Sequence, residues 1–361
     1  MADSRGNITT DPKEIADILR SHWKEVFSRK EIDHNLLDQW LQDEFGHAGR
    51  AGLPGARHWL IKRKHIARAI KISGSSAPGV DKIPYVIWRS LGELGVTVLY
   101  DVALELQYEN SATLLGMAYG TAAEGGKHDF NLGVLCCLPK KIAGAHAGMG
   151  DYYGASDTRP LSIVNTDNRL IASAMRLAWE PILSKWISSM QRGFLKGRSM
   201  LMNILDIDEA AMTISLKEKF GGAVIFDLKA AFPSISQEYL IKCLTHLGLP
   251  STAINAIKAL YSQVRCALQF KGTTYEQFDV TAGIRQGCPL SPLLFAATVD
   301  ILLRRLHRIF PDAVIRAFAD DIGAVFKDLP KDADRLFSTF QHFGKISGLG
   351  LNLPETVVIP L

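Results

Sequence analysis

The stretch Ile284-Arg285-Gln286-Gly287-Cys288-Pro289-Leu290-Ser291-Pro292-Leu293-Leu294-Phe295 opens as a polar turn around a glycine and runs through two prolines into an apolar segment. Proline costs little in the first turn of a helix, where its missing N–H would have no partner anyway. Pro289 and Pro292 therefore mark the start of a helix over residues 292–309. Upstream, Ala223-Val224-Ile225-Phe226 reads as a buried strand that ends on Asp227, at the head of the run Phe226-Asp227-Leu228-Lys229-Ala230-Ala231-Phe232. Downstream, residues 315–318 and 322–325 suit two short strands joined tightly at Asp320-Asp321. Helices over residues 237–247, 251–264 and 333–346, strands over 266–270 and 277–281, and a terminal strand over 356–359 complete this half. The order strand, helix, strand, strand, helix predicts a split βαβ sheet of the α+β class.

The chemistry lies in the acids. Asp227 closes a strand, so its carboxylate emerges at the sheet's edge; a helix cap or turn residue has the same local signature. Asp320 and Asp321 are adjacent carboxylates that repel each other unless a cation sits among them. Aspartate is also common in tight turns for its local hydrogen bonds. Three hard carboxylates on neighbouring strands suit Mg²⁺, and two such ions can clamp both oxygens of a phosphoryl displacement.

The chain has 361 residues, room for two or three domains. Its composition, 47% hydrophobic and 22% charged, excludes a disordered or fibrous protein. Lys and Arg number 41 against 37 Asp and Glu, a mildly basic balance that permits a nucleic-acid partner without requiring one. No run of ~18 apolar residues and no basic, apolar leader is present, so an intracellular location in cytoplasm or nucleus is expected, with no membrane partner. Five cysteines without zinc spacing read as reduced, mostly buried thiols. At the N-terminus, Asp11, Pro12 and Glu14 read as cap, first helical proline and capping-box acid. Residues 31–56 turn glycine-rich and suggest a linker. Residues 57–71 hold six Lys or Arg and no acid. As a helix they would gather Ile66, Ala69 and Ile70 on one face and Lys64, Arg68 and Lys71 on the other, which suits either a solvated surface or a phosphate backbone. A loop over residues 73–84 follows. Further on, residues 132–138 and the stretch after Arg159 read as strands flanking a small-residue loop, and residues 169–187 and 200–216 as helices.

Together, FDLKAAF, IRQGCPLSPLLF and FADD, in this order, resemble a reverse transcriptase palm, most nearly that of non-LTR (LINE-type) retrotransposon polymerases. Ser76-Ala77-Pro78-Gly79-Val80-Asp81-Lys82-Ile83-Pro84 resembles the family's N-terminal APGPDGIP element. Leu138-Pro139-Lys140-Lys141 and Arg159-Pro160-Leu161-Ser162 resemble its fingers strands, and QRGFLKGR at residues 191–198 the segment before the palm. The resemblance covers about residues 60–361. It implies a right-hand polymerase with a ferredoxin-like palm: an N-terminal helical extension and linker at 1–56, fingers and N-terminal elements at 57–220, and a palm at 221–361.

By position in those motifs, Asp227, Asp320 and Asp321 would be catalytic and hold two Mg²⁺ ions, with Mn²⁺ as a substitute. Phe232 would lie under the sugar and select deoxynucleotides, a reading the motif context favours over that of a core phenylalanine. Gln286 and Gly287 would meet the incoming nucleotide, and Lys141 and Arg159 its triphosphate, with Lys140 competing for that role. Lys64, Arg68 and Lys71 would contact the template backbone. The implied partners are an RNA or DNA template with its primer, and deoxynucleoside triphosphates.

Four departures from the family pattern stand out. Phe318 replaces the tyrosine of the YADD box. The loop between Lys141 and Arg159 is longer than a turn and could displace those two contacts. In SGLGLNLPETVVIPL, Gly350 and Glu355 stand where lysines are common. The sequence stops at Leu361 directly after that motif, so no thumb is expected within it and no endonuclease ahead of residue 60. A separate chain could supply either. The expected function is an RNA-directed DNA polymerase domain of a retrotransposon; the alternative is an inactive remnant that still binds nucleic acid.

Overall fold

The structure, a computed structural model, describes residues 1–3, 5–46, 53–113 and 130–361. Helix and sheet are mixed throughout, as the α+β reading expects. The chain forms two compact units, each assembled from three segments. The first comprises Met1–Arg29, Leu60–Leu177 and Ser251–Pro289, the second Lys30–Trp59, Ala178–Pro250 and Leu290–Leu361. The stretches 1–56, 57–220 and 221–361 thus each contribute to both units. Compactness follows burial, which a glycine-rich stretch or a change of pattern along the sequence does not report.

In the first unit, strands β1 (Leu132–Pro139), β4 (Thr158–Val164), β6 (Arg265–Phe270) and β7 (Thr273–Asp279) form a sheet in the order β4-β1-β6-β7. β1 and β4 are antiparallel from Gly133↔Val164 to Pro139↔Thr158. β1 and β6 are parallel. The helix Pro12–Val26 covers this sheet with Ile15, Ala16, Leu19 and Trp23, packed with Leu135, Leu268 and Phe278. Asp11 caps it, accepting from the Lys13 and Glu14 amides at 2.9 Å. Glu14 does not complete a box: its carboxylate takes the Thr9 hydroxyl at 2.5 Å, and Thr9 Oγ1 in turn receives the Asp11 N–H. The strand expected over 277–281 begins earlier, at Thr273, because Lys271 and Gly272 both adopt positive φ, 47° and 81°, and close a two-residue hairpin.

Two elements differ from the sequence reading. Residues 34–45, within the expected linker, form the helix His34–Phe45, which buries Leu37, Trp40, Leu41 and Phe45. Their spacing of three and four is helical; the glycines that follow mark only its end, with Gly46 at φ 42°. Gly49 and Gly52 lie outside the described residues. The loop between Lys141 and Arg159 contains a small hairpin, β2 (Gly144–His146) paired with β3 (Gly150–Tyr152).

In the second unit, β5 (Gly222–Phe226), β8 (Val314–Phe318), β9 (Asp321–Phe326) and β10 (Val357–Pro360) make an antiparallel sheet in the order β10-β5-β9-β8. The helix Ser291–Ile309 is buried from Leu293 to Leu303, and Phe340 of the helix Leu329–Ser347 stacks on Phe226 at 4.5 Å between ring centroids. The helix Met200–Lys217 sends Ile214 into contact with Ala223 and Val325. No helix among the described residues is long and apolar enough to cross a membrane.

Candidate active site

β5 ends on Phe226, which pairs with Ile322 of β9. The next register positions outward are Asp227 and Asp321, and Asp320 precedes Asp321 in the loop between β8 and β9. The three expected carboxylates therefore share one end of the second unit's sheet, Asp227 and Asp320 half-buried and Asp321 exposed. Among the described residues, no three His, Cys, Asp or Glu side chains converge closely enough to enclose a metal ion. The three acids share an edge without forming a closed cage.

Asp227 is fixed from the far end of the chain. The Asn352 side-chain amide donates to Asp227 Oδ2 and to Glu355 Oε2, each at 2.7 Å, and the Asn352 backbone N–H donates to the Asp227 carbonyl at 2.8 Å. Glu355, where the family pattern has lysine, thus belongs to the same hydrogen-bonded group as Asp227. The carbonyl of Gly350 accepts from Lys229 N at 2.9 Å, and a Cβ built on Gly350 meets nothing within 4 Å.

The β8–β9 loop is two residues long, since Phe318 pairs with Asp321. Its first residue, Ala319, has φ 62°. A positive φ at that position is the hairpin geometry that glycine fills most easily, and an L-residue holds it at a cost of about 1–2 kcal/mol. The Gln191 side chain brackets Ala319: Oε1 accepts from the amides of Ala319 at 2.9 Å and Gly193 at 2.8 Å, and Nε2 donates to the Ala319 carbonyl at 3.0 Å. Arg192 N and the Met190 carbonyl bond Ala317 at 2.8 Å each, forming a parallel bridge beside β8.

Four aromatic rings of the same unit pack on one another. Phe232 stacks on Phe295, centroids 4.5 Å apart and planes 14° apart, and meets Phe194 edge-on at 5.8 Å. Phe194 also packs on Phe318 at 6.5 Å. Phe232 is half-buried, so the ring is both a packing element and part of the surface.

The remaining expected residues belong to the first unit. Lys141 and Arg159, both exposed, lie at neighbouring ends of β1 and β4, where Leu138 pairs with Arg159. The long loop leaves this register intact, because the Asp157 carbonyl accepts from the Lys140 amide at 2.7 Å before β2 and β3 fold back on themselves. Gln286 gives its carbonyl to the Ser162 amide of β4 at 2.9 Å. Gly287 has φ 111°, and a Cβ there would lie 2.8 Å from the Ser162 carbonyl oxygen, so both the backbone conformation and the close approach call for glycine. The adjacent Arg285 is buried, donating to Asn131 Oδ1 at 2.7 Å, Asn168 Oδ1 at 3.2 Å and the Leu260 carbonyl. The helix Arg63–Ile72 forms as expected, with Ile66, Ala69 and Ile70 buried and Lys64, Arg68 and Lys71 exposed.

Gln191, Asn352 and Arg285 are the residues of this architecture to which the sequence reading gives no role. Gln191 and Asn352 lie inside quoted motifs, but their partners are 128 and 125 residues away.

A profile of the reverse transcriptase (RNA-dependent DNA polymerase) family matches residues 139–359, more than half the chain. The chain belongs to that family. It is 27% identical, over 315 residues and 84% of its length, to the Pol polyprotein of the type-2 retrotransposable element R2DM of Drosophila melanogaster, of which it covers 27%. It is 27% identical over 208 residues to the transposon TX1 149 kDa protein of Xenopus laevis, covering 54% of the chain and 15% of that protein. It is 26% identical over 219 residues to the Pol polyprotein of the type-1 retrotransposable element R2 of Popillia japonica, covering 58% and 30%. Within its family the chain is a reverse transcriptase domain of the non-LTR retrotransposon kind, and it spans less than a third of the length of these relatives.

Proposed function

We propose that this chain polymerises DNA on an RNA or DNA template, adding deoxynucleotides to a primer 3′-OH, with the second unit as palm and the first as fingers. The observation that carries the reading is the meeting of Asp227, Asp320 and Asp321 at one end of the antiparallel β5–β9–β8 sheet. In the reaction the 3′-oxygen forms a bond to the α-phosphorus, the bond from that phosphorus to the bridging oxygen breaks, pyrophosphate leaves and the hydroxyl proton passes to water.

The donor set is all hard oxygen, which fits Mg²⁺ or Mn²⁺. Mg²⁺ is commonly held by one or two carboxylates and completed by water and substrate phosphate, so an open edge of acids suits it better than a closed cage would. Asp227 and Asp320 would be the principal ligands and Asp321 the least direct. When bound, the ions supply charge to the phosphates in flight. Phe232, held flat by Phe295, bars a ribose 2′-OH sterically. Lys141 and Arg159 neutralise the triphosphate, Gln286 touches the nucleotide, and Lys64, Arg68 and Lys71 hold template phosphates.

The test is extension of oligo(dT) on poly(rA) with Mg²⁺ and dTTP, comparing the wild-type chain with Asp320→Ala. Extension by the wild type at least 1,000-fold above the variant is expected. If both are silent while the wild type binds the duplex in a salt-dependent manner, the chain is a binding remnant and the polymerase reading fails.

A further inference from the structure

We propose that Gln191 is a positioning residue of the carboxylate edge: its side-chain amide fixes the backbone of Ala319 and so sets the angle at which Asp320 and Asp321 leave the β8–β9 turn. The proposal rests on the polymerase reading for its consequence, but its geometry stands by itself. Gln191 is fully buried, and three hydrogen bonds of 2.8–3.0 Å join its amide to both polar groups of Ala319 and to Gly193 N. Ala319 is the one residue of the two-residue loop in the left-handed region.

Gly193 carries the second, independent observation. A Cβ at this position would sit 2.1 Å from Ala319 N and 2.9 Å from its Cα, so the 190–193 segment lies as close to the turn as a backbone can. The approach is secured on the β8 side by the bonds of Met190 and Arg192 to Ala317, and by Asn203 Nδ2, which donates to the Ala317 carbonyl at 2.9 Å. An amide side chain accepts and donates in one plane, which allows a single residue to grip both the N–H and the C=O of a strained neighbour. An apolar side chain of the same length fills the space and grips neither.

Two variants perturb the same backbone in opposite ways. Gln191→Met removes the hydrogen bonds at nearly constant volume, and Gly193→Ala wedges the segment away from the turn. Asp300→Asn is the control, a fully buried polar residue of the same unit that bonds Ser188 and Arg304 and does not touch the turn. For each variant we would measure the single-nucleotide extension rate, the Mg²⁺ concentration at half-maximal rate, duplex affinity, the thermal transition, and amide hydrogen exchange of residues 318–322.

Both turn variants should lose about 10- to 100-fold in rate and need several-fold more Mg²⁺, with duplex affinity within twofold of wild type and faster exchange confined to residues 318–322. Asp300→Asn should lower the thermal transition without moving the Mg²⁺ requirement. A wild-type rate and Mg²⁺ requirement in Gln191→Met overturns the proposal, as does an equal Mg²⁺ shift in Asp300→Asn. Should Gln191→Met not fold, Gly193→Ala carries the same measurements. If the wild type shows no extension that Asp320→Ala abolishes, it is the polymerase reading that fails. Exchange at residues 318–322 then decides the role of Gln191, faster in both turn variants if the proposal holds and unchanged if it does not.

Discussion

Carboxylates do different work in the two units, and the difference is one of surroundings. Asp227, Asp320 and Asp321 sit at a sheet edge, the first two half-buried and the third exposed. Asp167, at the start of the helix Thr166–Trp186, is half-buried: desolvation, with Asp81 adding its like charge, pushes its carboxyl up to about 6 against the opposing hydrogen bond from Asn168 N. The ordinary value is 3.8, so the folded state disfavours the charged form. The resulting penalty is absent below about pH 4, grows as pH rises from 4 to 6, and is complete above that. At about 1.4 kcal/mol per pKa unit it reaches roughly 3 kcal/mol. Asp167→Asn should therefore raise the thermal transition at pH 7.5 and leave it nearly unchanged at pH 4, which paired melts of variant and wild type would show; equal shifts at both pH values would contradict this account. That these three carboxylates end or adjoin strands was legible in the sequence because strand and acid are adjacent there. Gln191 was not, because its role exists only once residue 319 has been brought against it.

At the scale of elements, the informative case is the insertion between β1 and β4. Its strands β2 and β3 pair only with each other, and most of their residues are exposed. The β1–β4 ladder closes at Pro139↔Thr158 and the Lys140–Asp157 bond before the insertion begins. Replacing residues 143–152 with a Gly-Ser pair should thus leave the thermal transition within about 2 °C and extension within about twofold, as melting and primer extension would report; shortening a surface loop costs little conformational entropy. A large loss of extension would instead give the hairpin a part in positioning Lys141 and Arg159. Sequence reading saw a loop here because Gly144, Gly148, Gly150 and Gly154 obscure alternation over strands only three residues long. The helix His34–Phe45 was hidden for a related reason: the glycines after it weighed more than the spacing of Leu37, Trp40, Leu41 and Phe45.

For the whole molecule, charge is the property that acts over the longest range. The helix Arg63–Ile72 holds Lys64, Arg68 and Lys71 on its exposed face, while Arg63 is engaged with Glu93 at 3.1 Å. Replacing those three residues with alanine should weaken binding to an RNA–DNA duplex without regard to sequence and reduce the slope of log affinity against log salt by about 2–3. Affinities measured between 50 and 300 mM KCl would show it, and an unchanged slope would return this face to the solvent. The thermal transition should stay put, because none of the three side chains is buried.

The interleaving of the two units has a further consequence, for the order in which the protein can be made. A ribosome that has released residues 1–250 has completed neither unit: β1 still waits for β6, its parallel partner, and β5 for β9 and β10. Pairings between such distant strands form slowly, since the loop between them must be ordered first. The nascent chain therefore carries unpaired strand edges until residues 265–360 have emerged, a period in which a chaperone would have something to hold.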